Sequence, residues 1–352
     1  MLRALKRSLA SVLLVGLVVF SGYFVLVQKC LNQVLQIPEA GMVLHIDEGS
    51  NLSRLSASLE QQGIIYGRRL LLLHARINEL NTIHAGEYRL EPGETLAQLI
   101  EKLAGGDVIY YQITFPEGLT LKQWLKIIEQ HPQFSGHPDM QSADSSRYLN
   151  QQVEQLKATY SLTSVEGWLL PETYRFSGAD TVFGILSRAH ENMREVLENE
   201  WEQRPVGLPY ENPYEALIMA SIVEKETGKA SERQQIAGVF VRRMEKGMKL
   251  QTDPTVIYGL GSSYNGNLTR RDLRSKTAYN TYMIKGLPPT PIAMPGRAAI
   301  HAALNPDDSD TLFFVAKGDG SHEFSTSLED HVQAVRQYQL QRRSDYRSSP
   351  NE

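Results

Sequence analysis

The sequence predicts an α+β protein in three parts. These are one membrane-spanning helix at the N-terminus, a small α+β region, and a larger mixed α/β domain. Three observations carry this reading. An uncharged apolar run lies near the start of the chain. Short β-prone runs, each followed by Gly and a helically spaced apolar pattern, recur after it. Long helical patterns then alternate with turn-rich segments through the rest of the 352 residues.

Leu9 to Val27 holds no charged residue and is dominated by Leu, Val and Phe. Its 19 residues, at a rise of 1.5 Å each, reach about 29 Å, close to a bilayer core. Arg3, Lys6 and Arg7 precede it; only Lys29 follows closely, before Glu39, Asp47 and Glu48. The bias of positive charge predicts a cytoplasmic tail over 1–8, a transmembrane helix over 9–27 and the body on the far side. Ser21-Gly22 could serve as a signal-peptide cleavage site. No A-x-A pattern accompanies it, however, and the apolar run continues to Val27, which favours a retained anchor. Gln28-Lys29 before Cys30 is the wrong chemistry for a lipidation signal, so Cys30 reads as a free thiol near the membrane surface. A body outside the membrane without disulfides fits a bacterial periplasmic protein.

Composition excludes several classes. With 36 Lys+Arg against 40 Asp+Glu, the net charge of -4 argues against a nucleic-acid partner, which needs a basic surface to release counterions. A single cysteine leaves no internal disulfide and no multi-cysteine zinc or iron–sulfur site. The nine histidines show no HExxH or other close metal spacing, and His322 and His331 read as surface or core residues. No phosphate loop or dinucleotide fingerprint is present, and the serines lack a nucleophile-elbow context. Gly318-Asp319-Gly320 reads as a hairpin turn. No metal and no cofactor is therefore expected.

The small α+β region, 40–130, is built on a repeat. Gly49-Ser50-Asn51-Leu52 opens a pattern continued by Leu55 and Leu59. Gly93-Glu94-Thr95-Leu96 is continued by Leu99 and Leu103, and Gly118-Leu119-Thr120-Leu121 by Trp124 and Ile128. Val43 to Ile46, Glu87 to Leu90 and Ile109 to Phe115 are the preceding β-prone runs. Gly turns the chain out of a strand, Ser50 or Asn51, Glu94 or Thr95, and Thr120 can cap a helix, and the apolar residues follow at helical spacing. Strand, tight turn and amphipathic helix resembles small glycan-binding modules of the LysM type; a plain α+β packing domain carries the same pattern.

Beyond it, 131–165 reads as a connecting segment, with Pro132 to Arg147 as loop. Helices are expected over Thr181 to Trp201, Tyr214 to Thr227, Ser231 to Lys246, Ala298 to Leu304 and Ser327 to Arg343, and a strand over Leu312 to Ala316. Leu250 to Pro295 reads as loop-rich, dense in Tyr, Asn, Thr, Gly and Pro, and 337–352 as a polar tail.

The strongest chemical signal lies in Ala220-Ser221-Ile222-Val223-Glu224-Lys225-Glu226-Thr227. In a helix Glu224 and Glu226 point to roughly opposite sides. The neighbours of Glu226 are Val223, Ile222 and Met219, all apolar; those of Glu224 are Ser221, Ala220 and Leu217, a more mixed surface. A carboxyl on an apolar face has its pKa raised, the tuning that a general acid needs. Pairing with a basic residue would explain the same position, and the pattern leaves both open. The loops Gln251 to Gly259, Tyr264 to Asn267 and Thr277 to Tyr282 are rich in Tyr, Asn, Gln and Thr. Such side chains suit sugars, with rings stacking on a pyranose and amides bonding hydroxyls.

Several segments together closely resemble the endolytic murein transglycosylases, the YceG-like proteins. They are the helix motif Ala220–Thr227, Ala230-Ser231-Glu232-Arg233, Leu250 to Gly259, Tyr264-Asn265-Gly266, Ala278 to Tyr282 and Gly286-Leu287-Pro288-Pro289. Gly167-Trp168 with Leu170 to Tyr174 also fits, and the match runs in order from about Glu166 to His331. The resemblance implies an enzyme anchored once in the bacterial inner membrane whose catalytic domain, 166–336, cuts peptidoglycan glycan strands internally. It cleaves between N-acetylmuramic acid and N-acetylglucosamine without water and leaves 1,6-anhydro ends. It places the catalytic glutamate immediately before the motif Thr, at Glu226. It further implies a role in ending nascent strands, with peptidoglycan synthases and division proteins as candidate partners.

Gln251, Tyr258, Asn265, Tyr279 and Asn280 are the candidates for gripping the sugars. Asp253 reads as capping a turn before Pro254. A lysozyme-like hydrolase would need a second carboxylate, for which Asp253, Glu172 or Glu232 would serve. A non-enzymatic glycan-binding scaffold would rely on the N-terminal repeat alone.

Overall fold

A computed structural model describes residues 2–78, 83–135 and 145–340, of which 2–10, 12 and 340 are described by backbone alone. The chain is a mixed α/β protein with small two-stranded sheets and one N-terminal apolar helix. It folds as two compact units, Met1–Gln112 with Arg175–Asp180, and Ile113–Tyr174 with Thr181–Glu352.

The first unit begins with α1 (Leu2–Leu31). Within it, among the described residues, Leu13–Leu31 is long and apolar enough to cross a membrane. The helix outlasts the expected span because its last turn is covered by protein: Val27 and Cys30 are buried. Cys30 is thus a core residue of this unit, its thiol directed at the carbonyls of Tyr66 and Gly67.

Strand β1 (Met42–Ile46) pairs antiparallel with β2 (Gly86–Leu90), Met42 opposite Leu90 and Ile46 opposite Gly86. Between them lie α2 (Leu52–Gln61) and α3 (Arg68–Ile77), and α4 (Leu96–Gly105) follows β2. Leu44, Ile46, Tyr88 and Leu90 from the strands close a core with Leu55 and Leu59 of α2, Leu71 of α3 and Leu99 and Leu103 of α4. Each such aliphatic side chain contributes about 1.5–3 kcal/mol by leaving water. The sequence shows neither α3 nor the pairing of β1 with β2.

The repeat is real at the level of single elements. Gly49, Gly93 and Gly118 all have φ near +75 to +89°, a left-handed turn that a side chain would strain. Asn51 caps α2 by accepting from Arg54 N–H, and Thr95 caps α4 in a reciprocal box with Gln98. Thr120 does the same with Gln123 for α5 (Leu121–Gln130). The third copy, however, contributes Trp124 and Ile128 of α5 to the second unit, because the first unit ends at Gln112, inside β3 (Tyr110–Thr114). Strand β3 pairs with β4 (Thr173–Ser177).

In the second unit the segment expected as loop holds a short helix, α6 (Pro132–Ser135), and the start of α7 (Ser145–Tyr160), whose 16 residues lie inside the expected connector. Residues 136–144 of that connector lie outside the described residues, as does the tail from 341. Then come α8 (Val182–Gln203), α9 (Pro213–Glu226) and α10 (Arg233–Glu245). Thr181 and Asn212 cap α8 and α9, and Pro213 sits in the first turn of α9, where its missing N–H costs nothing. All residues from Ala216 to Val223 are buried, so α9 is the central helix of the unit, apolar on every side. It packs against Met193 and Leu197 of α8, Ile236 and Phe240 of α10, and Ile300 and Leu304 of α13 (Arg297–Leu304).

The segment read as loop-rich contains α11 (Asp253–Leu260) and α12 (Arg270–Arg274). The start signals were present: Thr269 caps α12 in a box with Asp272, and Pro254 sits in the first turn of α11. Asp253 is therefore the first residue of a helix rather than the cap of a turn. The hairpin β5 (Phe313–Ala316) and β6 (His322–Ser325) turns through Gly318-Asp319-Gly320 as expected, and α14 (Leu328–Val335) follows.

Candidate functional site

Glu226 is the last residue of α9, where the buried helix ends and the chain turns at Thr227. Its carboxyl is half-buried and lines a cleft of about 520 Å³ in the second unit. Thr252 and Asp253, at the start of α11, face Glu226 across this cleft, with Tyr282, Phe313 of β5 and His331 of α14 as further walls. The Thr252 hydroxyl donates to Glu226 Oε1. Burial pushes the Glu226 pKa up to about 7; the nearby charge of Asp253 adds to the rise, and the Thr252 hydrogen bond and the Arg243 guanidinium oppose it.

The wall opposite α9 is locked in place. Thr252 N–H donates to Thr281 Oγ1 at 3.1 Å, Gln251 N–H to Thr281 O at 3.2 Å, and Thr255 Oγ1 to Thr252 O at 2.8 Å. Gln251 has φ of +54°, a left-handed conformation costing about 1–2 kcal/mol for a non-glycine residue, and this network holds it. Arg243 of α10 spends its guanidinium on Leu250 O and Leu312 O, both at 2.7 Å, tying the Gln251 loop to the strand that carries Phe313. Tyr282 donates to Asp253 Oδ1 at 2.6 Å, and burial with that carboxylate raises its own pKa, so it remains a hydroxyl.

Glu224 does occupy a different environment, though not a more exposed one. Its side chain is 7% exposed, accepts from Gly296 N–H at 2.9 Å and has Arg233 at 3.7 Å. Burial raises its pKa, Gly296 lowers it, and Glu117 raises it again. The mixed surface read beside Glu224 is buried because Ser221 satisfies itself internally: it donates to Ile218 O and accepts from Ile292 N–H.

A further buried carboxyl lies apart from the Glu226 cleft. Glu166, in the loop after α7, accepts from Leu121 N–H at 3.0 Å and from Tyr258 OH at 3.1 Å. Burial pushes it up to about 7, against the pull of both hydrogen bonds. It lines a further cavity of about 710 Å³ with Gln123, Lys225 and Tyr258. Its partners lie 45 and 92 residues away, so no local pattern could reveal it.

The five residues expected to grip sugars do not lie together. Gln251 lines the Glu226 cleft. Tyr258 lies in the Glu166 cavity, its ring 5.0 Å from that of Tyr279, whose hydroxyl pairs with Thr290 at 2.8 Å. Asn265 is exposed in the loop after α11 and accepts from Asn267 N–H. Asn280 is fully buried; its amide donates to the carbonyls of Asp272, Leu273 and Ser275, and its oxygen accepts from Tyr282 N–H.

Of the carboxylates nominated for a hydrolase, Asp253 shares the Glu226 cleft but is taken up by Tyr282, and Glu172 and Glu232 are paired with basic residues. Asp253 holds Tyr282, Glu172 pairs with Arg297 at 2.9 Å, and Glu232 pairs with His322 at 2.8 Å and Lys229 at 3.2 Å. His322 is thereby a buried, paired residue against Phe314, and His331 stacks on Phe313 with burial holding its pKa down.

Comparison with known proteins adds a separate line. The model of the YceG-like family matches residues 44–337. The endolytic murein transglycosylase of Bacillus subtilis strain 168 is 30% identical over 333 residues, covering 91% of this chain and 91% of that protein. The endolytic murein transglycosylase of Streptococcus pneumoniae serotype 2 strain D39 is 26% identical over 318 residues, covering 83% of this chain and 57% of that longer protein. A crystal structure of a yceG-like protein from Listeria monocytogenes superposes with a TM-score of 0.52 at 29% identity, covering 84% of this chain and 99% of that one.

Proposed function

The chain belongs to the YceG-like family, and on that premise we propose that it is an endolytic peptidoglycan lytic transglycosylase in which Glu226 moves the proton. The observation that carries the assignment is the Glu226 carboxyl. It sits half-buried at a helix end, in an open cleft, with a pKa of about 7.

In this mechanism Glu226 begins protonated and gives its proton to the glycosidic oxygen between N-acetylmuramic acid and N-acetylglucosamine. The C1–O bond breaks, and an oxocarbenium-like centre develops at C1, which the substrate's own N-acetyl group can stabilise. The C6 hydroxyl then closes on C1, and the Glu226 carboxylate takes its proton. The enzyme ends as it began, no water is consumed, and the product carries a 1,6-anhydro ring. One carboxyl acts as acid and then as base, which suits a group poised near neutrality. Thr252 stabilises the carboxylate stage, and Asp253 favours the protonated stage. Pairing of Glu172 with Arg297 and of Glu232 with His322 supports a single-carboxyl lyase over a hydrolase that would use either of them.

Gln251 and Tyr282 are the side chains placed to meet a sugar beside Glu226, and Tyr258 and Tyr279 to meet one further along a strand. The first unit is read as a LysM-like module that binds glycan. The catalytic domain extends over 166–336, and α1 is a single-pass inner-membrane anchor with its N-terminus cytoplasmic. That placement brings the enzyme to nascent strands, and to the peptidoglycan synthases and division proteins that act there.

The test is a digest of glycan strands by the full-length protein beside Glu226→Gln, with products weighed by mass spectrometry. Anhydro-ended fragments that vanish in the variant support the lyase. Fragments heavier by one water would move the protein to the hydrolases, and cleavage undiminished in the variant would remove Glu226 from the chemistry.

A further inference from the structure

We propose that α3 lies on the membrane surface beside the anchor, with Arg69 and Arg76 meeting anionic lipid headgroups and Leu73 and Ile77 entering the interface. The inference rests on α1 as an anchor and on no part of the catalytic reading.

The start of α3 is clamped to the end of α1. Cys30, in the last turn of α1, directs its thiol at Tyr66 O and Gly67 O. Just beyond, Gln33 Nε2 donates to Tyr66 O at 2.9 Å, and Gln33 Oε1 accepts from Tyr66 N–H at 2.8 Å. Gly67, the residue before α3, has φ of +75°, and a Cβ there would stand 3.3 Å from the Cys30 sulfur. The apolar stretch Leu13–Leu31 ends at this same turn. A 10-residue helix is about 15 Å long, so α3 stays within that distance of the point where the anchor leaves the bilayer.

The helix presents one unsatisfied face. Leu71 and Ala75 are buried in the core of the unit. Arg69, Leu73, Arg76 and Ile77, at i, i+4, i+7 and i+8, fall on the opposite side and are exposed. Leu73 is 45% and Ile77 59% exposed, and Tyr66 just before the helix is 55% exposed. Among the described residues neither Arg69 nor Arg76 makes an ion pair. Arg69, Leu73 and Arg76 also line a groove of about 570 Å³ whose far side is Asn51 and Ser53 at the start of α2. Two guanidinium groups flanking aliphatic side chains match a phospholipid surface, with phosphate at the arginines and acyl chain against Leu73 and Ile77. An aromatic residue at the boundary, here Tyr66, completes the pattern.

The test uses the full chain with Cys30→Ala, carrying a nitroxide at Leu73→Cys or, as the aqueous reference, at the fully exposed Val206→Cys. Each is reconstituted in vesicles of phosphatidylcholine alone or mixed with phosphatidylglycerol. Spin resonance reads collisions with oxygen, which concentrates in lipid, and with a water-soluble nickel chelate. Oxygen should dominate at position 73 in the anionic vesicles and nickel at position 206. Arg69→Gln with Arg76→Gln should shift position 73 toward water by about thirty-fold in equilibrium, from the attraction of two arginines to an anionic surface, and Arg→Lys at both should restore it. Nickel access at position 73 in every vesicle overturns the proposal. So does exclusion of both reagents, which means a protein partner or second copy, and so does protection that appears only when glycan strands are added.

Discussion

The hydroxyl of Thr252 donates to Oε1 of Glu226, joining the residue that precedes one helix to the last residue of another across 26 positions of chain. That bond stabilises the carboxylate and holds the Glu226 pKa below where burial alone would set it. Since the first step needs the protonated acid, activity should fall as pH rises through about 7. Thr252→Val removes the bond, so the alkaline limb of the kcat/KM profile should move to higher pH. An unmoved limb would detach Thr252 from the proton.

Asp253 acts in the opposite sense, because its negative charge raises the Glu226 pKa. Asp253→Asn should move the same limb to lower pH. It also weakens the hold on Tyr282, whose hydroxyl now donates to that carboxylate. Opposite shifts in the two variants are the signature of a carboxyl tuned from both sides.

Glu226→Gln should lower the cleavage rate by about 10²–10⁴-fold, the range for a general acid–base group. Its circular dichroism and thermal unfolding should stay close to those of the wild type. A variant retaining more than a tenth of the activity would contradict the assignment.

Glu166 predicts a pH dependence of stability. Its folded pKa of about 7 lies above the ordinary carboxyl value of 4.5, so the folded state holds the proton more tightly than the unfolded chain. Stability is then highest below 4.5, declines as pH rises from 4.5 to 7, and levels off above, by at most on the order of 3 kcal/mol. Glu166→Gln should make that decline shallower in denaturant unfolding of the detergent-solubilised chain, the remainder coming from Glu226, whose pKa is raised to the same region. A decline as steep as that of the wild type would place the proton elsewhere.

Asn280 predicts a loss of stability. Asn280→Ala removes two N–H donors shared among three carbonyls of α12 and its flank, and the acceptor of Tyr282 N–H. The cost should be about 2–4 kcal/mol, read as a lower unfolding midpoint and faster proteolysis between 265 and 285. Asn265→Ala, on an exposed loop, should unfold with the wild type. Equal stabilities for the two variants would refute the distinction.

Much of this protein is readable wherever its information is local. The Gly-then-cap pattern of Gly49-Ser50-Asn51, Gly93-Glu94-Thr95 and Gly118-Leu119-Thr120 marks helix starts because turn conformation and capping depend on a few neighbouring residues. The apolar start of the chain and Glu226 beside Val223, Ile222 and Met219 are legible for the same reason. Helix α11 is hard to read because its eight residues, Gly259 among them, are too few to show a helical period, even though Pro254 marks its start. Asn280 looked like a sugar ligand because an amide in a loop reads the same whether its partners are hydroxyls or backbone carbonyls.

Residue order alone therefore carries the apolar N-terminal helix, the capped helices, the resemblance to a family and one carboxyl of interest. The folded chain adds the groups that tune that carboxyl. Burial and Coulomb interaction depend on distance in space, and the partners concerned, Thr252, Asp253 and Arg243 for Glu226, and Leu121 and Tyr258 for Glu166, come from other elements. For the same reason α3 shows its uncovered face only once Leu71 and Ala75 are seen in the core and Cys30 is seen against Gly67.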